Sequence, residues 1–218
     1  MEIDGNHFSG TLLWWLGALY GVALFYALRM SPWRRLTQEG QLHVFLGAIV
    51  VLILLWHIRG QIQPGLSFHL LGVTTVTLVF GWSFALIIAS IALLAVTLNA
   101  GYGWEGYVLS IITVGLLPIT LSQISLVLVR SWFPKNFFIY VLGNGFMTAW
   151  LVAYISGYAA VGLLVYSGAY TLQTTIIPFF PLMFFSEAIL NGWIITILVL
   201  YFPGWVYSFS DEFYIKGK

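Results

Sequence analysis

The chain has 218 residues, of which 61% are hydrophobic and 7% charged, against roughly a quarter charged in an ordinary soluble domain. A mean hydropathy of +0.97, spread along the whole length, excludes both a soluble globule and a soluble domain on one anchor. The net charge of +1 comes without a basic run, which excludes nucleic acid as a partner, and the lack of cysteine excludes disulfides, thiolate chemistry and sulfur-rich metal sites. One transmembrane domain over residues 1–218 is the expected organisation.

The first residues, Met1-Glu2-Ile3-Asp4-Gly5-Asn6-His7, are acidic and carry no small-residue cleavage site, so no signal peptide is expected. Residues 1–10 then form a short external segment. Apolar runs follow at residues 11–28, 42–58, 66–80 and 84–98. Longer ones cover 107–129, 137–158 with an apolar continuation to 166, and 176–202 with prolines at Pro178 and Pro181. A bilayer core of about 30 Å needs about 20 residues of helix, so the runs predict an all-α bundle of about seven membrane spans. Runs three and four are separated only by Gly81-Trp82-Ser83, which suits a helical hairpin, a re-entrant pair or one kinked unit. Trp14, Trp15, Trp82, Trp104 and Trp205 lie near run ends, where indole rings anchor at the headgroup level.

Short cytoplasmic loops hold the Lys and Arg of a membrane protein. With the amino terminus outside, Arg29, Arg34, Arg35, Arg130, Lys135, Lys216 and Lys218 fall inside and only Arg59 falls outside. An odd number of spans follows, with a cytoplasmic tail at residues 204–218.

That topology sorts the four histidines: His7, His57 and His69 lie at the outer face, and His43 near the inner one. Imidazole is a common ligand of nickel, cobalt, copper and zinc, and the Met1 amine, Glu2 and Asp4 supply further nitrogen and oxygen donors beside His7. His57, at a run end, reads as an interfacial residue with its polar tip in the headgroups. His69 is set inside an apolar segment, Pro64-Gly65-Leu66-Ser67-Phe68-His69-Leu70-Leu71-Gly72, where an unpaired imidazole is disfavoured and a functional role is the default. Glu187 is the one carboxylate embedded in an apolar run, and it serves either a hydrogen bond to a neighbouring helix or the metal path. Gln123 and Asn144 read as polar links between helices. No phosphate loop, no His-Glu-x-x-His and no Gly-x-Ser-x-Gly is present, so the chain neither drives transport with ATP itself nor carries catalytic residues.

Two patches carry a resemblance. Met1-Glu2-Ile3-Asp4-Gly5 is similar to a Met-His-Ile-Pro-Asp-Gly start, one residue shorter, and His69-Leu70-Leu71-Gly72 matches a His-Leu-Leu-Gly motif. Together they resemble the substrate-capturing permeases of energy-coupling-factor transporters for cobalt and nickel. The stretches 41–48, 65–81 and 211–218 are similar to a bacterial branch of permease-like membrane proteins of that family. The resemblance implies a planar nitrogen site built from the first residue's amine, a second-position histidine and the histidine of His-Leu-Leu-Gly. Met1 and His69 match, whereas Glu2 stands where the family has its second-position imidazole, and His7 is the candidate substitute.

The expected function is therefore capture of a transition-metal ion, cobalt or nickel, as substrate in the bacterial cytoplasmic (inner) membrane. Metal ligands are expected among Met1, Glu2, His7 and His69, with no organic cofactor, and with an ATPase and a coupling membrane subunit as partners from other chains. Two rivals stand beside it: a non-transporting scaffold or assembly factor that keeps the fold without the ion site, and a haem-binding membrane protein using histidines of neighbouring spans.

Overall fold

The computed structural model describes residues 2–3, 10–38, 40–58, 60–63, 66–101, 103–166 and 180–214. Five of its helices are long and apolar enough to cross a membrane: α1 (Gly10–Met30), α4 (Trp82–Ala100), α5 (Trp104–Trp132), α6 (Phe137–Tyr166) and α7 (Phe180–Tyr201). They coincide with the first, fourth, fifth, sixth and seventh apolar runs. Helix α2 (Gln41–His57) has 17 residues, about 25 Å at 1.5 Å per residue. Two short α-helices, α3 (Val73–Phe80) and α8 (Asp211–Tyr214) near the carboxyl end, and the 3-10 turns Trp33–Thr37 and Pro203–Trp205 complete the described helices.

The third run, residues 66–80, is helical only from Val73. Strands β1 (Glu2–Ile3), β2 (Gly60–Gln63) and β3 (Leu66–Phe68) form an antiparallel sheet in the order β1-β3-β2 at one end of the helical body. Residues 69–72 then lead without regular structure into α3. The positive φ of Gly72, +68°, lets the chain turn into the helix there, a conformation that a residue with a Cβ adopts only at a cost. Every residue of α3 is buried, on α4, α5, α6 and α7. In lipid, non-helical backbone is tolerated only where protein surrounds it, and this packing supplies that shelter.

The helices owe their close approach to small residues. A Cβ on Gly145 of α6 would lie 2.5 Å from Ile195 of α7, and one on Gly192 of α7 would strike the Phe146 ring. With no hydrophobic drive between helices in lipid, such contacts hold the α6–α7 pair by van der Waals packing. Two helices carry π-helical stretches, Ile111–Leu116 in α5 and Tyr140–Met147 in α6. The first precedes Pro118, whose missing N–H and bulky ring disturb the regular ladder one turn back.

One end of the bundle gathers the cations. Arg29 closes α1, and Arg34 and Arg35 follow in the turn Trp33–Thr37. Arg35 donates to the Trp205 carbonyl at 3.2 Å, and Arg130 to the Tyr214 hydroxyl at 3.1 Å and to the Ser208 carbonyl, while the Lys135 ammonium sits 4.1 Å from the centre of the Phe213 ring. The segment after α7 is thereby strapped across this end. The sheet lies at the other.

Candidate functional site

The sheet leads into His69, whose ring stands half-buried against Trp56, with centroids 5.7 Å apart. Nδ1 lies 3.1 Å from the Leu70 carbonyl oxygen. Trp56, fully buried at the end of α2, donates its indole N–H to the Leu71 carbonyl at 3.0 Å. One tryptophan thus packs on the imidazole and fixes the backbone two residues beyond it.

Glu187 holds the same turn from the other side. Its Oε2 accepts from the Leu71 amide at 2.7 Å and its Oε1 from the Gly72 amide at 2.6 Å. Four residues on, Asn191 donates from Nδ2 to Glu187 Oε1 at 2.7 Å, and its Oδ1 accepts from the Thr75 amide at 2.9 Å and the Thr75 hydroxyl at 2.8 Å. The first amides of a helix have no partner within it, and its amino end is electropositive. A carboxylate and an amide one turn apart on α7 therefore cap α3 from a neighbouring helix. With Glu187 only 3% exposed, these charge-assisted bonds offset a desolvation penalty of several kcal/mol. Of the two roles open to Glu187, the hydrogen bond to a neighbouring element is the one the geometry displays.

His57 is exposed at the end of α2, with Nδ1 2.9 Å from the Ile53 carbonyl and Nε2 3.1 Å from the Asn99 amide nitrogen. One ring nitrogen donates and the other accepts, as an interfacial histidine requires. His43 is exposed at the start of α2, by the cationic end. The polar link between α3 and α5 is made by Thr74 and Ser122 at 3.0 Å. Asn144, expected to link helices, is fully buried with neither side-chain amide atom hydrogen-bonded.

Met1, His7 and the side chain of Glu2 lie outside the described residues. Of the four expected ligands, the structure describes the side chain of His69 alone. The backbone register adds one fact: Glu2 pairs with Ser67 and Ile3 with Leu66. The amino-terminal patch thus pairs with the strand that runs directly into the His-Leu-Leu-Gly patch. No group of three His, Asp or Glu able to hold a metal exists among the described residues. Beside His69 lies a pocket of about 290 Å³ lined by Ile58, Leu70, Leu71, Met183, Phe184 and Glu187 among others.

Trp56 and Asn191 escaped the reading of the sequence. Asn191 stood four residues after Glu187, the spacing of one helix face, and that signal was available. Trp56 had only its place near a run end, which equally marks a lipid anchor.

Residues 3–205 match the family model for the cobalt uptake substrate-specific transmembrane region, CbiM. No curated protein and no solved structure matches the chain.

Proposed function

Because the chain belongs to the cobalt uptake substrate-specific transmembrane family and is a multi-pass membrane component of metal uptake, we propose that it captures cobalt or nickel at the outer face of a bacterial cytoplasmic membrane, as the substrate subunit of an energy-coupling-factor transporter. The pairing of β1 with β3 carries this reading. Glu2 stands opposite Ser67, one residue from Met1 and two from His69 in the sequence, and paired strands run about 5 Å apart at about 3.3 Å per residue. That register is what a site shared by the first amine and the imidazole requires.

With Nδ1–H donated to the Leu70 carbonyl, His69 presents Nε2 as the nitrogen with the lone pair. Trp56 and Glu187 fix the turn that carries it. The other donors are the Met1 amine, Glu2 and His7. A carboxylate at position 2 in place of imidazole relaxes the square-planar, all-nitrogen preference that favours nickel. The ion is the substrate, and an ATPase and a coupling membrane subunit from other chains supply the energy.

Seven passes with the amino terminus outside remain the favoured topology. Residues 69–72 and α3 make one pass inside the bundle, and Arg29, Arg34, Arg35, Arg130 and Lys135 gather at the end assigned to the cytoplasm. Glu2 supports a second reading, a scaffold that keeps the fold without transporting metal. Metal analysis of purified wild type and His69→Ala separates the two. The expected result is bound cobalt or nickel in the wild type and loss of at least tenfold in affinity in the variant, with folded yield unchanged. Equal metal content in both would favour the scaffold.

A further inference from the structure

The turn between α5 and α6 stands at the end of the bundle that gathers the cations, and a trough of about 350 Å³ runs from it along the seam of the two helices. Val129 and Phe133 of α5 form one wall, and Ile139, Leu142, Met147 and Leu151 of α6 the other. Gly143 also lines it, and a Cβ there would stand 3.4 Å from Val129. From Ile139 to Leu151 the α6 wall rises about 18 Å at 1.5 Å per residue, close to the roughly 15 Å of hydrocarbon in one leaflet. The trough holds two hydroxyls, and both are committed: Ser125 and Thr148 bond to each other at 2.6 Å, and Thr148 donates to the Gly143 carbonyl at 2.8 Å.

At the mouth the chemistry changes. Residues 131–148 contain no Asp or Glu. Trp132, 77% exposed, and Lys135 stand in the turn, and among the described residues neither the indole N–H nor the ammonium donates a hydrogen bond. The Lys135 charge rests over the Phe213 ring, which leaves its three N–H donors unspent. Glu212 borders a separate cleft, whose lining it shares with Arg130.

We propose that the trough is a binding site for one anionic phospholipid of the leaflet at the cationic end, the cytoplasmic one in the topology favoured above. One acyl chain lies between α5 and α6, and the phosphate meets the Lys135 ammonium and the Trp132 indole. Basic pockets between spans on that side of a membrane recognise anionic headgroups, and indole rings settle at the headgroup level. A partner helix does not suit the trough. A helix is 10–12 Å across with its side chains, and helices associate in lipid through small residues and shared hydrogen bonds. Here the walls are bulky and the hydroxyls are already paired. The α6 wall includes the π-helical stretch Tyr140–Met147, a feature frequent at functional sites.

Native mass spectrometry of the wild type released from detergent tests the site, with one phospholipid expected to stay bound. Offered phosphatidylglycerol and phosphatidylcholine together, the protein should prefer the anionic lipid about fivefold, the effect of one lysine near the headgroups. Gly143→Leu and Met147→Trp each fill the trough, and either should lose the bound lipid at an unchanged thermal midpoint. Lys135→Gln should keep a lipid but lose the headgroup preference. A photoreactive residue in place of Leu142 should give adducts of lipid mass in native membranes. A wild type that retains no lipid, filled and folded variants that retain it as before, or an adduct of protein mass at position 142 overturns the proposal. A preference that survives Lys135→Gln overturns the headgroup contact.

Discussion

Helix α3 is finished differently at its two ends, and the contrast separates the end next to His69 from the end that gathers the cations. At its amino end the caps are side chains: Glu187 on the Leu71 and Gly72 amides and Asn191 on Thr75. At its carboxyl end they are mostly main chain, with the Tyr207 amide on the Val79 carbonyl at 2.9 Å and the Ser208 amide on the Leu78 carbonyl at 3.1 Å. The Ser208 hydroxyl adds a bond to Leu78 at 2.7 Å. Side-chain caps place the turn after His69 under the control of single residues on α7. Main-chain caps make the opposite end almost indifferent to substitution.

Glu187→Ala should break this arrangement most severely. Two buried amides lose their acceptor together, a loss of about 3 kcal/mol or more, read as a large drop in folded yield and in thermal midpoint in detergent. A wild-type midpoint would refute the capping role. Asn191→Ala should cost about 2 kcal/mol, in the range of a lost amino-terminal cap, and a double-mutant cycle with Glu187→Gln should show strong coupling because the two side chains are bonded. Additive effects would mean that they act separately. Ser208→Ala should cost about 1–2 kcal/mol, since the Leu78 carbonyl keeps the Ser208 amide and the buried Tyr140 hydroxyl alone loses its partner. A loss as large as that of Glu187→Ala would erase the distinction between the ends.

The same contrast explains what the sequence discloses. The long runs read directly as helices, because a helix facing lipid is apolar nearly all round and its length has a physical minimum. Residues 66–80 mislead because a segment buried on every side shows the same apolar monotony whether it is strand, turn or helix. Only Gly72 marks the break. His69 stands out as a polar residue where polarity is costly, and so does Glu187. What stays hidden is the partner of Glu187, because backbone amides leave no signature in the letters of a sequence. The pairing of β1 with β3 is equally silent, two residues against three being too short for any alternation to register.

The caps of α3 also impose an order on biogenesis. The helix is complete at Phe80, yet the groups that satisfy its ends are translated more than a hundred residues later, at Glu187, Asn191, Tyr207 and Ser208. Until α7 inserts and the strap after it closes, the growing chain holds a short helix with polar ends at membrane depth, where the penalty is several kcal/mol per group. The last fifth of the chain therefore acts as an internal proof of completion: a ribosome that stops early leaves an α3 that nothing can finish.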